Sequence, residues 1–128
     1  MKLLLDIKLP LQSISELNTQ EHWTKSHKRH RIQKKCIMAA LRNQMISPSK
    51  CHIKLTRISN RELDYVNLVS AFKWVQDQVA DELRPGQAPG RADGDKSLTW
   101  EFLQEKTDLS NQGTRIQIFD SSTESSDS

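Results

Sequence analysis

A period-of-two alternation opens this sequence, and its switch to a period near 3.6 and back sets the order of elements. Leu3, Leu5, Ile7, Leu9 and Leu11 occupy every second position, with Asp6 and Lys8 between them. That spacing predicts a half-buried strand over residues 3–11. Asn18-Thr19-Gln20-Glu21 then has the spacing of a capping box, which predicts a helix start. The helix is expected to run to about Met45 and to stop ahead of Ser47-Pro48. Ile37, Ala40, Leu41 and Met45 share its core side, at helical spacing. Cys51, Ile53 and Leu55 alternate with His52, Lys54 and Thr56 in a second strand over residues 51–58. A second helix over residues 64–83 carries Tyr65, Leu68, Phe72, Val75, Val79 and Leu83 as its buried stripe. Leu98, Trp100 and Phe102 mark a third strand. Ile116 and Ile118 mark a fourth, after the turn Asn111-Gln112-Gly113. The order β-α-β-α-β-β predicts an α/β (α+β) fold: a single domain with a mixed sheet of about four strands and two helices packed on it.

A chain of 128 residues suits one domain and is too short for two ordinary ones. No apolar run approaches the roughly 20 residues of a membrane-spanning helix. The opening Met1-Lys2-Leu3-Leu4-Leu5 meets Asp6 at once, unlike a signal peptide. Two cysteines, Cys36 and Cys51, cannot form a disulfide scaffold and read as core thiols, so a cytoplasmic protein is expected. Three of the four glycines and two of the four prolines fall in residues 84–94, which predicts a mobile loop. Residues 120–128 hold five serines and no apolar residue, so a disordered tail is expected after a domain spanning residues 1–119.

The net charge of +3 hides an asymmetry. Residues 1–60 hold twelve Lys and Arg against three Asp and Glu, a local charge of +9; the remainder holds seven against thirteen, a local charge of −6. A basic half suits polyanions. Lys28, Arg31, Lys35 and Arg42 cluster on the helix side opposite the core. Lys25, Arg29 and Lys34 add to them around Trp23, His22, His27 and His30. These side chains are expected to grip phosphates irrespective of base sequence; the competing reading is a solvated helix face. The histidines lack the i, i+4 pairing of a helical zinc site, and Cys36 lies too far along to complete one.

Asp64 opens the second helix, and Asp93 and Asp95 close the Gly/Pro loop. Carboxylates from separate segments are the usual cage for Mg²⁺, which wants oxygen ligands and keeps several waters. The competing reading is a helix-capping Asp64 and two solvated loop aspartates. Opposite the buried stripe of the second helix lie Val66, Ser70, Lys73 and Asp77. Val66 is the apolar member of a polar side.

Arg61-Glu62-Leu63-Asp64-Tyr65-Val66-Asn67-Leu68-Val69, then the helix, then Ala92-Asp93-Gly94, then Trp100-Glu101-Phe102-Leu103-Gln104-Glu105-Lys106 and Thr114-Arg115-Ile116 together resemble the RusA family of Holliday junction resolvases of phages and prophages. Glu21-His22-Trp23 and Lys28-Arg29 are similar to the basic first helix of its phage-type members. The resemblance covers residues 3–119. It implies a homodimer that cuts four-way DNA junctions, in DNA recombination and repair, with Mg²⁺ or Mn²⁺ held by three aspartates. Carried over by position, Asp64 matches the first aspartate and Asp93 the third, with Asp95 as a further candidate ligand. The second aspartate falls on Val66, and Ala92 replaces the first member of an Asp-Asp pair. The family's lysine falls on Ser70, with Lys73 the nearest basic residue, set to face the scissile phosphate. Asn67 is expected to orient the site, and Lys25, Lys28, Arg29, Arg31 and Lys35 to bind the DNA arms. Two functions stay open: an Mg²⁺-dependent endodeoxyribonuclease, and a relative that binds branched DNA without cutting it. A general DNA- or RNA-binding accessory domain is a third. Trp74 is open between a dimer interface and the sheet.

Overall fold

The computed structural model describes residues 1–10, 23–42, 49–85 and 94–122, with the side chains of the first helix described from Lys28 onward. Its elements follow in the order β1 (Lys2–Leu9), α1 (Trp23–Arg42), β2 (Cys51–Ser59), α2 (Tyr65–Ala71), α3 (Lys73–Leu83), β3 (Leu98–Lys106) and β4 (Gly113–Asp120), with a 3-10 turn at Leu109–Asn111. The described residues form an α+β fold of one four-stranded mixed sheet and three α-helices. The capping box at residues 18–21, Leu11, Met45 and Asp93 lie outside the described residues. None of the described helices is long and apolar enough to cross a membrane.

The sheet order is β1-β4-β2-β3. β4 runs antiparallel to both β1 and β2, while β2 and β3 pair in parallel from Cys51↔Leu98 to Ser59↔Lys106. The last strand in the chain therefore sits between the first two. Its alternation puts Ile116 and Ile118 on the helix side, fully buried beside Ile53 and Leu55. Phe72, Val75 and Val79 close the core from above, and Ile37 and Leu41 of α1 join it. His30 meets Trp74 toward one end of the helix pair and Arg42 meets Glu82 toward the other. The two helices therefore run side by side in the same direction.

Three expectations are corrected. The second helix is two helices, α2 and α3, broken at Phe72, whose φ of −95° and ψ of 0° leave the helical run. The Phe72 amide donates to Val69 O at 3.1 Å instead of one residue further back, and its buried ring stacks on Phe102 with centroids 5.8 Å apart. The stripe continues across the break, except that Tyr65 is 65% exposed. In β1, a bulge between Leu3 and Leu5 pairs Leu3 with Phe119 and Leu5 with Ile118. Those partners lie on opposite faces, so Leu3 leaves the core side and is exposed. At the other end of the chain, β4 continues to Asp120. Ser121 N donates to Lys50 O at 3.1 Å, and the Asp120 carboxylate accepts from the Ser122 amide and hydroxyl. Asp120, Ser121 and Ser122, expected in the tail, are therefore part of the fold, and residues 123–128 lie outside the described residues.

Candidate functional site

Helix α1 holds seven Lys and Arg and no acidic residue. Its periodicity separates them from the core. Gln33, Ile37 and Leu41 are buried, whereas Lys28, Arg31, Lys34 and Lys35 are exposed and Arg29 is half-buried. Lys25 lies in α1 ahead of the described side chains. Arg42 plays a different part. Its Nε lies 3.5 Å from Glu82 Oε2 of α3, so it ties the two helices together at the far end of the basic side. What remains is a cationic ridge over Lys28–Lys35, the type of surface that tracks a phosphate backbone.

The acidic turn Glu62-Leu63-Asp64 is built from two motifs that meet through Leu63 and Gln104, 41 residues apart. Gln104 of β3 clasps the backbone of Leu63: its Oε1 accepts from Leu63 N at 2.9 Å and its Nε2 donates to Leu63 O at 2.7 Å. The clasp fixes the residue before Asp64, and Asp64 in turn starts α2. Asp64 is in extended geometry at the N-cap, and its Oδ1 accepts from Asn67 N at 2.9 Å. Asn67 Nδ2 lies 3.0 Å from each carboxylate oxygen. Asn67 thus orients the Asp64 carboxylate, and the capping reading of Asp64 is realised. Val66 is 65% exposed on the adjacent helix position, in line with its place opposite the core stripe.

The other site residues are spread out. Lys73 is exposed and opens α3, nine residues along the chain from Asp64 and beyond the break at Phe72. Asp95 caps the approach to β3, its Oδ1 accepting from Ser97 N at 2.8 Å and Ser97 Oγ at 2.7 Å. Leu98 N donates to Asp95 O at 3.0 Å, so Asp95 belongs to the Leu98 end of β3. Asp64 belongs to the Gln104 end, six residues or roughly 20 Å along the strand. The fold does not bring these two carboxylates together. Among the described residues no group of three or more His, Cys, Asp or Glu is placed to hold a metal ion, and Asp93 lies outside them.

Trp74 of α3 faces the basic helix α1. Its indole stacks on the His30 ring with centroids 4.3 Å apart and an interplanar angle of 26°, and Lys34 Nζ lies 5.2 Å from the indole centroid. With Arg31 these residues line a cleft of about 220 Å³ between α1 and α3. The pairing was not legible in the sequence. The i, i+4 spacing of His30 and Lys34 puts both on one side of α1, but nothing local sets Trp74 against them.

Comparison of the chain with protein-family models, curated proteins and solved structures returns no match. The functional reading therefore stands on the residues and their geometry.

Proposed function

We propose that this domain binds branched DNA, in the manner of the RusA-type resolvases that its motifs resemble. The observation that carries the reading is the cationic ridge of α1, acid-free over its whole length and facing away from the core. Phosphate contacts from such a ridge supply affinity without base readout, which suits a ligand recognised by shape. The Gln104–Leu63 clasp supports the resemblance independently. Its two halves belong to the Leu63-Asp64 and Gln104-Glu105-Lys106 fragments, whose combination carries the resemblance, and they touch. A homodimer would match the two-fold symmetry of a four-way junction.

In the catalytic form that the resemblance implies, Asp64 and Asp93 would hold Mg²⁺ or Mn²⁺, with Asn67 orienting Asp64 and Lys73 serving the phosphate. Asp95, two residues from Asp93 in the sequence, lies at the opposite end of β3 from Asp64. The bound ion would polarise the scissile phosphate and activate water. A specific observation favours the binding-only form. Val66, exposed at the position of the middle aspartate, supplies no ligand, and the Asp64 carboxylate is engaged in capping α2, accepting from Asn67 N and Nδ2.

The test is a labelled four-way junction incubated with the protein, with and without Mg²⁺ or Mn²⁺, read for both complex and product. Paired nicks that require the metal and vanish in Asp64→Asn support the enzyme. A stable complex with no product under any metal supports the binding-only form. Equal affinity for junction and linear duplex removes the branched-DNA reading.

A further inference from the structure

The cleft between α1 and α3 pairs features that helix packing alone does not require: an aromatic stack with two cations at its rim. Its volume of about 220 Å³ falls below the roughly 300–1,000 Å³ of pockets that enclose drug-sized ligands. It suits one flat ring with an attached charged group. His30 and the half-buried Trp74 supply π surface, Arg31 and Lys34 supply positive charge, and among the described residues none that lines the cleft is acidic. An aromatic platform beside a cationic track is how single-stranded nucleic acid is held, since every base has a π-face and every nucleotide a phosphate. Along its length a paired duplex presents no free base face for Trp74 to stack on.

We propose that this cleft takes one unpaired nucleotide of a DNA strand, its base against the Trp74–His30 pair and its phosphate on Arg31 and Lys34. The inference deepens the DNA-binding reading of α1 and rests on it. It gives the basic ridge a means of telling an opened or branched strand from plain duplex, because Arg31 belongs to both surfaces.

The experiment compares wild type, Trp74→Leu, Trp74→Phe and Lys34→Gln on a single-stranded oligothymidylate, a blunt duplex and a four-way junction, with indole emission followed in parallel. Trp74→Leu is expected to weaken oligothymidylate binding on the order of 10- to 100-fold while duplex binding stays within about twofold. Trp74→Phe restores most of the affinity, and saturating oligothymidylate quenches wild-type indole emission. Lys34→Gln, a surface change that leaves the Trp74 packing in place, makes the oligothymidylate salt slope shallower by about 0.7. Equal losses on single strand and duplex, or an unchanged slope in Lys34→Gln, overturn the assignment. Wild-type binding to duplex and junction but not to oligothymidylate overturns the cleft and leaves the α1 reading standing. Trp74-dependent binding to oligothymidylate without junction binding upholds the cleft and overturns the junction reading.

Discussion

Replacing Lys28, Arg31 and Lys35 together by glutamine tests the ridge of α1 as a phosphate track. All three side chains are exposed on the helix side away from Ile37 and Leu41. Glutamine matches lysine and arginine closely in helix propensity, so each change should cost less than about 0.5 kcal/mol and the triple variant under about 1.5 kcal/mol. Binding should respond far more. Each lost phosphate contact on duplex arms removes about 0.9 from the slope of log K against log salt, so three remove about 2.7. Between 50 and 200 mM salt, a fourfold change, the wild type should lose about 40 times more affinity than the variant. Fluorescence anisotropy of a labelled junction across a KCl series measures the slope, and circular dichroism melting checks the fold. A triple variant that melts like wild type yet keeps the wild-type slope would refute the placement of DNA on α1.

Four further outcomes are expected. Asp64→Asn should keep the α2 cap, because asparagine caps as well as aspartate, whereas Asp64→Ala should cost about 1 kcal/mol; an Asp64→Asn variant whose calorimetric Mg²⁺ binding equals wild type removes Asp64 from any metal site. Val66→Asp should fold normally, since the side chain is solvent-facing and an acid in the first turn of a helix gains about 0.3–1 kcal/mol. It should also raise Mg²⁺ affinity by calorimetry, and no gain in a folded variant rejects the lost-aspartate argument. Gly113→Ala should cost about 1–3 kcal/mol by urea denaturation, because a Cβ there would stand 2.6 Å from Leu9 O of β1; unchanged stability would mean that β1 shifts freely. The Arg115 guanidinium, bonded to both Asp6 oxygens, holds the Asp6 carboxyl below its ordinary value. A depressed carboxyl stabilises the fold above its unfolded-state value and loses that contribution as the pH falls through the folded one. Asp6→Asn should therefore lower the melting temperature at neutral pH, by the equivalent of up to about 1 kcal/mol, and the gap from wild type should close below the aspartate range.

The acidic turn was partly legible in the sequence. Capping by Asp64 and the outward side of Val66 follow from local rules, since an N-cap acts over three residues and a helical phase over one turn. The spread of the other candidates was not. Asp95 and Asp64 both precede or follow parallel neighbours β2 and β3, but which end of the sheet each occupies depends on the crossover between those strands. Periodicity puts Lys73 on a continuous helix, whereas Phe72 breaks it without a proline or glycine to mark the position. The buried stripe runs on in phase through the break, so periodicity cannot register it.

What the residues determined by themselves is the alternation of β1, β2 and β4, the core stripes of α1 and α3, the basic side of α1 and the α+β class, all of them products of side-chain spacing along a few turns or pleats. Tertiary structure alone decided that β4 enters between β1 and β2, that a bulge turns Leu3 outward, that Gln104 grips Leu63, and that Trp74 faces His30 and Lys34. Each of these joins residues far apart in the chain. Their free energy comes from burial and hydrogen bonds formed only when separate elements meet, and a local pattern carries no record of such meetings.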